Sequence, residues 1–357
     1  MEQLRKKNFI WVAASVFLLS SACGKIAKDI ADTGEQRFYE NPVYDHNFPD
    51  PSVVKGDDGW FYAYATQSRD SSGLKYIPII KSRDLVNWVG AGQAFRERPG
   101  WKEKGGLWAP DVSKYKGRYY MFYSVSVWGD KNPGIGHAVS DTPEGPFTDL
   151  GKFFLSEEIG VQNSIDPYFI EDADGKCYLF WGSFHGIYGI EIEWVNDRFV
   201  LKGDKFQIAG TGYEATYIHK RNNYYYFFGS IGSCCDGLNS KYHVKVARSV
   251  NIRGPYLDSL NNDIIQNRPI LGKLALKAND QFVGPGHNSE IIADDEGADW
   301  ILYHAIDVDM PEIDGKGTRR PMLLDRVTWD NGWPVIGNAS PPLRAESPVF
   351  KTNRANR

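Results

Sequence analysis

The chain of 357 residues has four cysteines, at positions 23, 177, 234 and 235, and no Cys-x-x-Cys spacing. That excludes a zinc-ribbon site. With three thiols beyond the N-terminal region it also excludes a disulfide framework. Cys177, in "KCYLFWGS", reads as a buried strand residue, and the adjacent pair in "SCCDG" falls in a loop. There is no basic block: 41 Lys and Arg against 45 Asp and Glu leave a formal net charge of -4, which argues against a nucleic-acid partner. No stretch after the N-terminal segment is apolar enough to span a bilayer. Nothing has the period of a long amphipathic helix.

The N-terminus is the exception. Arg5, Lys6 and Lys7 form a positive region, Phe9 to Leu19 an apolar one too short to cross a membrane, and "LSSAC" closes it. This has the form of a bacterial lipoprotein box, with Cys23 as the acylated first residue of the mature chain. A plain cleaved signal is the alternative. The expected layout is a signal peptide over 1–22, a tether over 23–40, one catalytic domain over 41–345 and a tail over 346–357. The expected location is an exported lipoprotein, periplasmic or on the outer-membrane surface. It would be a monomer that meets the membrane only through Cys23.

What the chain has in quantity is aromatics, 14% with 11 Trp and 20 Tyr, as suits a β-rich core and also rings that stack on sugars. It also has an internal repeat. "DPSVVKGDDGWFYAYAT" from Asp50 is echoed by "PDVSKYKGRYYMFYS" from Pro110, "DPYFIEDADGKCYLFWGS" from Asp166, "EATYIHKRNNYYYFFGS" from Glu214 and "NSEIIADDEGADWILYHA" from Asn288. Each has a polar or acidic leader, a short apolar strand, a charged turn with Gly or Asn, and an aromatic second strand. That is a β-hairpin. "IKSRDLVNW", "AVSDTPEGPF" and "ARSVNIRGPY" add a third strand to three of the units. Five such units fit an all-β, five-bladed β-propeller, in which the leaders Asp50, Asp111, Asp166, Glu214 and Ser289 share one rim of the central channel.

Carboxylates gathered at one rim raise one another's pKa, a cost that function usually explains. Asp50 stands between two prolines in "NFPDPSVV", which by local rules biases it to extended backbone and holds it stiffly. Glycoside hydrolysis needs a protonated carboxyl for the leaving oxygen and an ionised one to activate water. Glu214, in the aromatic and apolar "GYEATYI", suits the acid, Asp50 the base and Asp166 a third carboxyl that raises the acid's pKa. By position alone Asp111 competes for any of these roles.

The segments "FPDPSVV", "WAPDV", "SIDPYF", "YEATYI", "GPGHNS" and "LLDRVTWDNGWPVI", in this order, resemble the family-43 glycoside hydrolases, the arabinan- and xylan-degrading five-bladed propellers. The resemblance runs from about Asn47 to Pro342. It implies that Asp50 is the general base, Glu214 the general acid and Asp166 the pKa modulator of an inverting hydrolase. The paired-cysteine loop and "RSVNIRGPY" look most like the endo-arabinanase branch, although Pro49 stands where those enzymes usually carry His. The resemblance also implies that His287 faces the channel and helps hold calcium, largely through waters, against the plainer reading of a satisfied histidine. Trp108, Asp111, Trp181 and Tyr213 are the candidate substrate-binding residues, with Trp108 and Trp181 equally suited to the core. About 20 residues follow "GWPVI", too few for a closing β-sandwich, which favours an open cleft and an arabinose-type substrate over xylobiose. The expected partner is an arabino-oligosaccharide or polysaccharide. A β-xylosidase or other furanosidase of the family, and a sugar-binding lipoprotein without catalysis, are the rivals.

Overall fold

The computed structural model describes residues 37–267, 271–313 and 317–351. The proposed signal peptide and Cys23 lie outside them. The five repeats form five antiparallel sheets. Blade 1 runs outward through Ser52–Lys55, Phe61–Tyr64, Pro78–Ser82 and Val89–Gln93. Blade 2 comprises Gly106–Tyr115, Arg118–Ser126, Gly134–Ser140 and Thr148–Leu155. Blade 3 comprises Tyr168–Glu171, Cys177–Trp181, Ile187–Val195 and Arg198–Ala209, and blade 4 Glu214–Arg221, Tyr224–Ile231, His243–Ser249 and Lys273–Leu276. Blade 5 comprises Phe282–Gly286, Asp299–Asp307, Met322–Asp330 and Trp333–Ile336, with the short Ile292–Ala293 also on its second strand. The only helices among the described residues are the single turns Ser156–Ile159 and Gly237–Asn239. The chain is an all-β, five-bladed propeller.

A propeller strand in the second position is covered on both faces by neighbouring blades. Its burial is therefore continuous rather than alternating. Arg118–Ser126 and Tyr224–Ile231 each have all but their first residue buried. The cores lie between blades: Tyr64, Ile79, Val112 and Met121 between blades 1 and 2, and Phe122, Phe169, Leu179 and Trp181 between blades 2 and 3.

Among the described residues no blade is completed by strands from both ends of the chain. The ring closes through a core of Val53, Phe61, Trp300 and Leu324 between blades 1 and 5, and through a clasp in which Phe38–Glu40 pairs antiparallel with Arg344–Glu346. The Asn41 side chain spans Leu324 and Pro342, the Phe48 N–H donates to Arg320, and Phe350 packs on Phe61 at 4.8 Å. The fold thus extends a few residues past both edges of 41–345, into the expected tether and tail.

Each blade has, in or next to its first strand, a rim residue at positive φ: Asp50 (60°), Ala109 (42°), Asp166 (57°), Ala215 (55°) and His287 (48°). Asp50 and Asp166 are therefore not extended, although each precedes a proline, because the rim turn overrides the local bias. These turns bring the blades into two rings of hydrogen bonds. In the upper ring the rim N–H groups of Ala109, Asp166 and His287 donate to Thr66, Ser124 and Ser230 at the end of the preceding blade's second strand. His304 takes that place for Asp50. In the lower ring Ser52 accepts from the Val112 N–H, Asp111 from Phe169, Tyr217 from Ile291 and Glu290 from Val53, while Tyr168 donates to the Ile218 carbonyl.

Candidate active site

Asp50, Asp166 and Glu214, from blades 1, 3 and 4, line one open cleft of about 940 Å³ at the channel mouth. All three are more than nine-tenths buried. Their surroundings differ, and the chemistry follows from the difference.

Asp50 is surrounded by donors. Its Oδ1 accepts from Arg320 Nη1 at 3.1 Å and lies 3.2 Å from His287 Nδ1, and its Oδ2 accepts from Thr66 Oγ1 at 2.6 Å. Burial pushes its pKa up, but the Arg320 guanidinium and His287 outweigh burial and hold the carboxyl well below the usual range. The same contact raises His287 to about 9 against its own burial. His304 is fully buried and held down at about 4 by that burial, so it is neutral and its Nδ1 can accept the Asp50 N–H at 3.1 Å. Glu214 has no cation in contact. Burial raises it, with Asp50 adding, while the Tyr242 and Ser183 hydroxyls and His287 oppose; Ser183 Oγ donates to its Oε2 at 2.7 Å. Asp166 is raised to about 7, chiefly by burial and then by Glu214 and Asp50, with His287 pulling the other way. Its Oδ2 accepts the Ala215 N–H at 3.1 Å, which ties it to the residue after Glu214. The cleft thus offers one firmly ionised carboxylate and a pair whose pKa values burial raises.

Residues 39–334 match the sequence profile of glycosyl hydrolases family 43. The chain belongs to that family. An extracellular exo-α-(1→5)-L-arabinofuranosidase of Cellvibrio japonicus is 31% identical, the match covering 91% of this chain and 92% of that one. An extracellular endo-α-(1→5)-L-arabinanase of Bacillus subtilis is also 31% identical, over 80% and 86% of the two chains. Among solved structures, Cellvibrio cellulosa α-L-arabinanase complexed with arabinohexaose superposes with a TM-score of 0.70 at 30% identity, covering 81% of this chain and 95% of that one.

Of the other residues singled out from this family-43 sequence, Trp108 lines the cleft, its ring 5.7 Å from that of Trp128, which is 79% exposed. Trp181 and Tyr213 do not line it. Trp181 has no exposed surface: its indole N–H donates to Ser164 Oγ at 3.1 Å and its ring packs on Phe154, so no sugar can stack on it. Tyr213 is 1% exposed, its ring edge-on to Phe227. Both are core residues. Asp111 is corrected too. Its rim counterpart is Ala109, so it sits two residues deeper, beside Glu290, in a cavity of about 20 Å³ below the cleft. Burial and then Glu290 raise its pKa well above the usual carboxylate range, and its carboxyl accepts the Phe169 N–H, which ties blade 2 to blade 3. His287 lines both the cleft and that lower cavity.

Sequence reasoning missed Thr66, His304, Arg320 and Trp128. Arg320 is 270 positions from Asp50, and nothing local in "RRP" announces their pairing. Thr66 and His304 were legible in principle. Every repeated hairpin ends in Ser or Thr except the fifth, where His304 stands. The adjacent cysteines were placed in a loop without a bond, whereas Cys234 and Cys235 form a disulfide with each other on the cleft wall.

Proposed function

We propose that this hydrolase cleaves α-1,5-linked arabinan or its oligosaccharides with inversion. Asp50 acts as general base, Glu214 as general acid and Asp166 as the carboxyl that keeps Glu214 protonated. The observation that carries this reading is the split within one cleft: Asp50 held ionised by Arg320 and His287, Glu214 and Asp166 held towards the neutral acid by burial. A water hydrogen-bonded to Asp50 loses its proton there as its oxygen attacks the anomeric carbon. Glu214 delivers its proton to the departing glycosidic oxygen, and the positive charge of the oxocarbenium-like transition state is met by ionised Asp50 and by the carboxylate that Glu214 becomes as its proton leaves. Product analysis on linear arabinan against a panel of aryl furanosides and pyranosides tests the substrate. The anomer first released, read by NMR, tests inversion. Arabinan left intact while a xyloside is hydrolysed would overturn the substrate.

Calcium fits the lower cavity by its donors. Thr216 Oγ1 and Asn288 Oδ1 are buried there without partners, beside Asp111 and Glu290, and calcium takes oxygen ligands. Among the described residues no group of three or more His, Cys, Asp or Glu could hold a metal, and a cavity of about 20 Å³ has room for about one water, so a largely hydrated calcium would reach these oxygens from the cleft side. His287 would border it. A cation there would favour neutral His287 and make the potential around the three acids more positive, which favours their ionised forms. Exhaustive chelation should lower activity or melting temperature and calcium restore it, with His287→Ala insensitive to chelator; no bound cation in active enzyme and no chelator effect would remove the metal.

The N-terminal region supports export with Cys23 lipidated, the enzyme acting as a monomer at the cell envelope. Cys23→Ala should release it from the membrane fraction.

A further inference from the structure

The disulfide on the cleft wall joins adjacent residues. Cross-links stabilise folds mainly by closing loops in the unfolded chain, and the effect grows with loop length. Closing no loop, Cys234–Cys235 gains almost nothing that way. Its consequence is local: a small ring through the intervening peptide fixes two side chains into one apolar face.

The fold holds that face in position. It follows directly on Tyr224–Ile231, whose Ser230 is the register partner of Glu214, so it stands on the acid's side of the cleft. Gly232, at φ 94°, turns the chain where a Cβ would lie 2.5 Å from the Lys241 carbonyl oxygen. Thr318 Oγ1 donates to the Cys235 carbonyl at 3.1 Å and accepts the Gly237 N–H at 3.2 Å. Ser240 Oγ donates to the Ser233 carbonyl. Both cysteines are half-buried and line the cleft with Trp128 and Phe184. Cys177 is buried in blade 3.

We propose that the Cys234–Cys235 disulfide is a sugar-contacting plate on the leaving-group side of the cleft, and that its redox state sets how tightly the glycan is held. This rests on the cleft being the arabinan site. Oxidised, the sulfur face is flat, apolar and immobile, suited to the C–H face of a furanose beyond the scissile bond. Reduced, it becomes two thiols with free rotation, and the plate is lost. Accessible disulfides are the labile ones. A phosphine reductant cleaves the S–S bond with water: the phosphorus takes the water oxygen as phosphine oxide and each sulfur takes a hydrogen.

The test measures kcat and KM on linear arabinan for the oxidised enzyme, the enzyme reduced with TCEP, and Cys234→Ser/Cys235→Ser. Turnover by the oxidised wild type secures the arabinan reading separately. The expected result is a KM three- to tenfold higher on reduction, on the scale of one lost apolar contact, about tenfold per 1.4 kcal/mol. kcat should change less than twofold, reoxidation by oxidised glutathione should restore KM, and the double variant should match the reduced enzyme and ignore TCEP. A merely structural bond would move melting temperature and kcat together and leave KM. Free thiols at both positions in the purified native enzyme, or equal KM values in oxidised and reduced wild type, would overturn the proposal even if the variant failed to fold.

Discussion

Asp50, Glu214 and Asp166 carry the same functional group and end in different protonation states because of what touches each. Asp50 meets a guanidinium, a histidine and a threonine hydroxyl; Glu214 meets hydroxyls only. Glu214→Gln should therefore slow arabinan roughly 10²–10⁴-fold, while a dinitrophenyl glycoside, whose leaving group needs no proton, loses far less. Asp50→Asn should slow both alike. Equal losses in the Glu214 variant would refute the acid assignment. The pH profile follows from the same contacts. Asp50 lies well below its usual range, so it stays ionised at working pH. The alkaline limb belongs to the Glu214–Asp166 pair, which repel one another and shed two protons in steps shared between them. Asp166→Asn removes one of the charges, so the limb should move to lower pH. The stability sign is opposite to a salt-bridged acid's. Raised to about 7 from an ordinary 3.8, Asp166 favours the fold below its unfolded pKa. That contribution is lost as pH rises through 7, and the Asn variant should lose less stability over that interval in chemical melts.

At the scale of the element, each rim side chain is only as well placed as the ring that ties its blade to the next. Asp166 depends on Ser124 Oγ for its N–H, at 3.0 Å. Ser124→Ala leaves that buried donor unpaired, which costs about 1–3 kcal/mol, or a melting point lower by ~2–4 °C per kcal/mol in a chain of this size. Activity should fall with it. Asp111 gives the converse. Its pKa is raised well above the usual carboxylate range by burial and Glu290, it accepts the Phe169 N–H and it faces Glu290, and an amide can do both. Asp111→Asn should keep both stability and kcat, whereas Asp111→Ala should lower the melting temperature. A large loss of kcat at full stability in the Asn variant would return Asp111 to the catalytic set.

For the molecule as a whole, the ring of blades closes between blades 5 and 1, where Val53, Phe61 and Ile80 pack on Trp300, Leu302 and Leu324. Among the described residues the last blade takes no strand from the other terminus, and side contacts add to that core: Phe38–Glu40 against Arg344–Glu346 and Phe350 on Phe61. Phe350→Ala removes a half-buried ring and should cost about 1–2 kcal/mol, measured by denaturant melts. Kinetics on the folded protein should be unchanged, since Phe350 packs near the turn-side end of Ser52–Lys55 and does not line the cleft.

The repeat itself fixed the architecture. A hairpin with an aromatic second strand cannot bury both faces alone, and five copies in order leave a propeller as the arrangement that covers them all. The three acids were legible for the same reason, as exceptions in a pattern that does not need charge. Only tertiary structure could separate Asp111 from Asp166, since the offset of two residues arises from the rim turn at Ala109, and side chains two apart on a strand share a face but not a depth. Tertiary structure also decided Trp181, whose core and sugar-stacking roles ask for the same residue, and brought Arg320 and His304 to Asp50 by closing a ring across more than 250 positions.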